Sequence, residues 1–221
     1  LRTLTVGSKW ENHIYTVGGA VRDSVMGNSI KDIDIVLDLP NGGIEFSQWL
    51  YESNYLIREP ITYPTYGTSM FVLTKFPSCE IEAVHTRKEQ YKDKGSRNPE
   101  QEYGTIEEDA FRRDLTINAL YYNVTKKKVY DPTNSGINDI NERIIRVTNP
   151  NPDIVFTEDP LRILRAIRFF TRYDDFKICE KTLTSMKINI DRLNIISKER
   201  IADELNKMLL SDNPSKAIRM V

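Results

Sequence analysis

Cysteine and histidine are scarce, with two of each in 221 residues. Cys79 and Cys179 stand a hundred positions apart, and neither has a second Cys or His at metal-finger spacing. The expectation is free buried thiols in a reducing cytoplasm rather than a disulfide framework. His13 and His85 also lack a partner at ligand spacing, so both are read as structural.

Excess charge is missing as well. The chain has 31 basic and 32 acidic residues and a net charge of −1, unlike a protein that grips nucleic acid over a wide surface. Any nucleic-acid contact must then be local. No apolar run approaches the roughly 18 residues of a membrane span, and no charged-then-apolar leader opens the chain. Internal repeats and low-complexity tracts are lacking too. Because the first residue is Leu1 rather than Met, the numbering is expected to begin inside a longer gene product. What remains is an ordinary cytoplasmic globular composition, 39% hydrophobic and 29% charged, sufficient for one large domain or two small ones.

Two textures meet near residue 150. Before it, "NHIYTVGG" reads as a strand ending in glycine, and "AVRDSVMG" as a short helix closed by Gly27. "KDIDIVLDL" is a second strand, with Ile33, Ile35 and Leu37 on one face and Asp32 and Asp34 on the other. "GGIEFSQWLYESN" is helical, while "YGTSMFVLT" and "CEIEAVH" are further strands. Residues 87–104 are polar, without apolar periodicity, and are read as a long functional loop. "IEEDAFRRDLTINALYY" resumes as a helix running toward a strand, with acidic residues in its first turn. Beyond "TNPNPD" the chain reads as helical over 158–173, 176–188, 198–210 and 213–221. Ser197 is the expected N-cap of the third of these, whose apolar face is Ile201, Leu205, Met208 and Leu209.

The chemistry concentrates in residues 17–39. Asp32 and Asp34, at i and i+2 on a strand, project side by side, and their mutual repulsion calls for a cation. Carboxylate pairs suit Mg²⁺, which leaves its other positions to water and phosphate oxygens. Gly18 and Gly19 lie where a strand gives way to a helix, a place where backbone amides attract anions, and Arg22 follows one turn later. Taken singly, an exposed strand face, a plain turn and a surface arginine account for these features. Together, within about 17 residues, they point to a nucleoside triphosphate.

"GGAVRD" followed by "DIDI" resembles the catalytic head of class II tRNA nucleotidyltransferases, the CCA-adding enzymes, and of bacterial poly(A) polymerases. "EIEAVHTRKEQY", "EEDAFRRDLTINAL", "DPTNSGINDINERIIRV", "EDPLRILRAIRF" and "ISKERIADELNKML" continue the likeness in the same order, over nearly the whole chain. The resemblance implies an α+β fold. A polymerase-β-like nucleotidyltransferase head with a small mixed sheet and helices would occupy residues 1–148, and an all-helical neck residues 149–221.

It further implies template-independent addition of C and A from CTP and ATP to the 3′ end of tRNA, with release of pyrophosphate. Asp32 and Asp34 would hold two Mg²⁺ ions, with Glu82 as third carboxylate and Glu80, on the same strand face, as its competitor. Gly18, Gly19 and Arg22 would face the triphosphate. "RRD" resembles the ribose-sensing motif, so Arg113 and Asp114 join the site. Asn118 is either part of it or a fold-stabilising amide. Asp159 and Arg162, at i, i+3 on one helix face, would replace a nucleic-acid template, supported by Arg165 and Arg168. The base chemistry agrees: cytosine and adenine present an amino donor beside a ring-nitrogen acceptor, matching an accepting carboxylate and a donating guanidinium, whereas uracil and guanine present the reverse.

Within the family, "YPTYGTSMFVL" is closer to the "HGT" or "FGT" of CCA-adding enzymes than to the basic Arg-Phe-Pro-like segment of poly(A) polymerases. The loop at 87–104 implies capacity for the terminal A. It departs from the family's "RRP", reading "SRNP" with Arg97 kept and Asn98 in place of the second arginine, and "TNSG" replaces a Gly-Gly turn. Body and tail domains would follow "SDNPSKAIRMV". Poly(A) synthesis, or a non-catalytic nucleotide- or RNA-binding module, are the alternatives. The sequence does not fix the oligomeric state.

Overall fold

The computed structural model describes residues 1–30, 32–90 and 100–220. A short helix α1 (Arg2–Thr5) precedes β1 (Ile14–Val17), α2 (Gly19–Val25), β2 (Ile33–Leu37) and α3 (Gly42–Glu52). Strands β3 (Ile61–Tyr63), β4 (Thr68–Val72) and β5 (Glu80–His85) follow, then β6 (Arg87–Gln90) and β7 (Glu100–Tyr103). Next come α4 (Ile106–Phe111), β8 (Tyr121–Asn123), β9 (Lys128–Tyr130), α5 (Gly136–Asn141) and β10 (Ile144–Ile145). The C-terminal part holds α6 (Pro152–Glu158), α7 (Leu161–Arg172), β11 (Lys177–Ile178), α8 (Glu180–Asn189), α9 (Lys198–Leu209) and α10 (Pro214–Ile218).

Strand alternation sets the layers. The main sheet runs β3-β4-β5-β2-β1-β8-β9, with β2 and β5 parallel and its other neighbours antiparallel. Ile35, Leu37, Phe71, Ile81 and Ala83 share one face and pack on Phe46 and Leu50 of α3. Burying each of the larger side chains stabilises the fold by roughly 1.5–3 kcal/mol. Tyr15, Val17, Val36 and Tyr121 face the other way, onto Ala110 of α4. A third cluster joins Val21, Leu115 and Ile117 to Val155, Phe156, Ile163 and Met208, so one core runs unbroken across residue 148.

The mixed sheet and the helical C-terminal part are as expected, and several boundaries are not. The helix expected at 158–173 starts later, as α7 at Leu161, because α6 ends at Glu158 and Asp159 and Pro160 separate the two. Proline disfavours helical geometry in the residue before it, and Asp159 is extended (φ −140°, ψ 100°). The helical C-terminal part also contains one short strand, β11, which pairs in parallel with β10. The expected loop at 87–104 begins and ends as a ribbon, β6 pairing with β7 from Arg87↔Tyr103 to Gln90↔Glu100. Both strands are polar on either face, so alternation gave no signal. Residues 91–99, with Arg97 and Asn98, lie outside the described residues. Helix α4 opens on a capping box, Thr105 accepting from the Glu108 N–H and Glu108 from the Thr105 N–H. It ends at Phe111, well short of Tyr121, and a 3₁₀ turn at Thr116–Asn118 makes the connection. Ser197 caps α9 as expected. Cys79 and Cys179 are free and half-buried. Among the described residues no helix is long and apolar enough to cross a membrane.

Candidate active site

The site begins where β1 ends. Gly18 takes φ 65° and ψ −129°, a conformation L side chains rarely adopt, and a Cβ there would lie 3.6 Å from Arg113 Nη1. Glycine therefore lets the chain turn beneath that guanidinium. Directly beside Val17 is Asp34 of β2, and directly beside Asp34 is Glu82 of β5. Glu80, the alternative third carboxylate, instead lies 3.8 Å from Arg58. Desolvation raises the Asp34 pKa, with Asp32 adding and Arg113 opposing. Desolvation likewise raises the Glu82 pKa, helped by Asp34 and opposed by Arg87.

Among the described residues, none of Asp32, Asp34 and Glu82 takes a hydrogen bond or an ion pair from a side chain. Asp32, just before β2, and Asp34 and Glu82, paired across β2 and β5, are carboxylates that suit a hard, oxygen-seeking cation. The described residues contain no group of three or more His, Cys, Asp or Glu placed to hold an ion. The arrangement is thus an open two-carboxylate face with a third beside it, which fits a cation that takes its remaining ligands from water and phosphate.

The opposite wall is assembled by a buried charge network. Asp109 of α4, fully buried, accepts from Arg112 at 2.6 Å, Arg113 at 3.0 Å, the Tyr121 hydroxyl at 2.5 Å and the Arg87 N–H at 3.2 Å. Burial pushes its carboxyl up, but Arg113, Arg112 and Tyr121 outweigh that and bring it to about 2. Burial opposes the charge of Arg113, yet Tyr121 and Asp109 hold its pKa above the usual value. Asp114 accepts from Arg165 Nη2 at 2.5 Å, Asn118 Nδ2 at 3.1 Å and the Leu115 N–H at 2.8 Å. Those contacts overcome burial and lower its pKa. Asn118 in turn accepts from Arg22 Nη1 at 2.6 Å.

Arg22 does not stand ready for a phosphate. It is 3% exposed, its Nε and Nη2 donate to Asp23 at 2.9 Å, and its plane lies 5.1 Å from the Phe169 ring. Tyr173 also donates to Asp23, at 3.3 Å, so α2 is tied to α7 here. Asp159 and Arg162 do not share a helix face, because Asp159 precedes α7. Its carboxylate accepts from the Leu161 N–H at 3.1 Å and Arg200 at 3.0 Å. Arg162 donates to Glu158 at 2.9 Å and to the Arg112 carbonyl at 2.6 Å. Arg165 reaches Asp114, and Arg168 is held at 2.7 Å by buried Glu204.

Both walls enclose a cavity of about 540 Å³, a size that suits a small ligand. Its lining brings together Gly18, Gly19, Arg22, Asp32, Asp34, Arg113, Asp114, Asn118, Asp159, Arg162 and Arg165. Glu82 and Arg168 lie outside that lining. Arg112, the first residue of "RRD", lines it as well, and so do Asp23, Phe169, Arg172 and Arg200, which were not foreseen. Asp109 was missed too, although it precedes Arg112 and Arg113 by three and four residues, the spacing of helical ion pairs.

Residues 14–146 match the family model described as "Poly A polymerase head domain". Residues 175–221 match one described as "Probable RNA and SrmB- binding site of polymerase A". The CCA tRNA nucleotidyltransferase, mitochondrial, of Candida glabrata is 35% identical, covering 92% of this chain and 40% of its own length. A solved CCA-adding enzyme in its apo form II is 33% identical with a TM-score of 0.81, covering 94% of this chain and 47% of that one. A CCA-adding enzyme solved with CTP is 32% identical with a TM-score of 0.76, covering 94% and 45%. The chain thus spans less than half the length of these relatives.

Proposed function

This chain belongs to the poly A polymerase head-domain family, and on that premise we propose that it is the catalytic and nucleotide-selecting part of a tRNA nucleotidyltransferase. It adds C and A from CTP and ATP to a tRNA 3′ end without a template and releases pyrophosphate. One observation carries the reading: Asp32 and Asp34, which take no side-chain hydrogen bond or ion pair among the described residues, open on the same cavity as a wall of arginines already held by the protein. The names of the relatives, and a solved relative with CTP, favour CCA addition over poly(A) synthesis.

Asp32 and Asp34, with Glu82 alongside, would hold Mg²⁺, which when bound neutralises the triphosphate and acidifies the primer 3′-hydroxyl. Arg113, above the Gly18 turn, meets the phosphates. Asp114, fixed by Arg165 and Asn118, presents its carboxylate to the ribose 2′-hydroxyl. The base edge is read by Asp159, which only accepts, and Arg162, which only donates. Each is set by a different partner, Arg200 and Glu158, so the two are positioned independently. A hydrogen bond to a charged group is worth about 1.5–3 kcal/mol, enough for tens-fold selection.

The division into residues 1–148 and 149–221, and a cytoplasmic site of action, belong to the same proposal; cell fractionation tests the latter against the mitochondrial name of the Candida glabrata relative. The direct experiment incubates the chain with Mg²⁺, a tRNA ending before CCA and each labelled nucleotide. Incorporation from CTP and ATP but not UTP or GTP is expected. Absence of transfer, together with absence of CTP binding, overturns the reading.

A further inference from the structure

Arg22 follows the glycine pair in sequence, yet its contacts lead to a different part of the cavity. A guanidinium only donates. Its Nε and Nη2 are taken by Asp23 at 2.9 Å, and its Nη1 by the side-chain oxygen of Asn118 at 2.6 Å. The Phe169 and Tyr173 rings lie 5.1 Å and 5.8 Å from it. Asp23 is held in turn by the Tyr173 hydroxyl at 3.3 Å and by Arg172 at 3.7 Å. Helices α2 and α7 thus grip one buried cation between them, and Asn118 hangs from it.

Asn118 passes that constraint on. Its amide has one accepting end and one donating end. With the oxygen turned to Arg22, Nδ2 faces the other way and donates to Asp114 Oδ1 at 3.1 Å. The flipped amide would set Nδ2 against a guanidinium and the oxygen against a carboxylate, a mismatch at both ends. Arg22 therefore fixes the place and the orientation of the group behind Asp114. The carboxylate depends on that support because its partner at Oδ2 is less constrained. The Arg165 side chain is 36% exposed, and Glu204 offers it a second acceptor at 3.9 Å.

We propose that Arg22 is a positioning residue for ribose selection, acting through Asn118 to aim Asp114 at the 2′-hydroxyl of the incoming nucleotide. The assignment rests on the function proposed above, and it gives the arginine after the glycine pair a task other than holding phosphate. A hydroxyl is told from a hydrogen only where the acceptor is already aimed. An acceptor that must first be ordered returns less of its hydrogen bond as selectivity.

The test measures the Kd values of CTP, dCTP and UTP by calorimetry, with Mg²⁺ and the full chain and without primer. The parent should favour CTP over dCTP on the order of tenfold. Arg22→Lys, which loses the planar fork that serves Asp23 and Asn118 together, should erase most of that preference, and so should Asn118→Ala. The CTP-to-UTP ratio should hold in both. In an Asp114→Ala background, Arg22→Lys should move the CTP-to-dCTP ratio no further. If CTP and dCTP weaken in step in Arg22→Lys, the arginine is holding phosphate and the proposal is overturned. A CTP-to-UTP ratio that falls along with the other overturns it too, because the whole wall has then loosened. Should Arg22→Lys fail to fold by circular dichroism, an unmoved CTP-to-dCTP ratio in Asn118→Ala is enough to overturn it. Equal binding of CTP and dCTP by the parent does the same, since Asp114 then reads no ribose. Binding needs no turnover. A chain whose preference follows Arg22 and Asn118 but which transfers nothing to tRNA would keep the positioning role and refute the proposed activity; one that transfers with the ratio unmoved would do the reverse.

Discussion

The two walls of the cavity are built on opposite electrostatic plans. On the sheet side, Asp32 and Asp34, with Glu82 next to Asp34 but outside the cavity lining, take no hydrogen bond or ion pair from a side chain among the described residues, and desolvation raises the pKa of Asp34 and Glu82. On the helical side, Arg22, Arg113, Arg162 and Arg165 are each already bound to a protein acceptor, as is Arg168 outside the cavity lining. An unpartnered carboxylate raises its own energy until a cation arrives. A paired arginine is fixed in direction before any ligand arrives, while its other N–H groups can still donate. The first plan suits chemistry that recruits an ion, and the second suits shape-constant recognition.

Removing a charge from each wall should therefore have opposite consequences for stability. Asp34→Ala is expected to reduce transfer at least a thousandfold while leaving Tm unchanged or higher, since it relieves repulsion and opens no core cavity. A folded Asp34→Ala chain with substantial activity would erase the contrast. Asp109→Ala, behind the other wall, should instead destabilise the fold by about 3–5 kcal/mol, because two arginines lose their buried counter-charge. Measured by urea unfolding, a loss below 1 kcal/mol would show that Arg112 and Arg113 do not depend on Asp109. In the milder Asp109→Asn, the CTP KM should rise more than kcat falls, as Arg113 loses its orientation.

Acid gives a smaller effect with a definite sign. Asp109 has a folded pKa of about 2, below the ordinary 3.8. Its stabilising contribution is present above about pH 4 and disappears as pH falls toward 2. Tm measured across that window should fall more steeply for the parent than for Asp109→Asn. Parallel curves would mean that Asp109 is not the group being titrated.

Much of the sheet-side wall was legible in the sequence because it depends on short-range rules. Alternation in "KDIDIVLDL" marked the face of Asp34, whereas Asp32 lies one residue before β2, and the paired glycines marked the turn beside it. The helical wall depends on partners distant in sequence. Arg22 meets Asn118 across 96 positions and Arg165 meets Asp114 across 51, and neither pairing follows from periodicity. Pro160 was visible and should have moved the start of the helix expected at 158–173 to the residue after it. The β10–β11 pairing of two residues each carries too short a pattern to be read. A division at residue 148 follows composition, whereas the core does not divide there: Leu115 and Ile117 pack with Val155 and Ile163.

In the proposed enzyme the sheet-side carboxylates would act on the reaction and the helical wall on the choice of nucleotide. The kcat/KM ratio of CTP to UTP in Asp159→Ala tests it most directly, with Asp34→Ala alongside. The ratio is expected to fall tens-fold in Asp159→Ala, and activity with every nucleotide to disappear in Asp34→Ala. If Asp159→Ala lowers all four nucleotides in step and leaves the ratio intact, the wall is holding phosphate rather than reading bases, and the claim is contradicted.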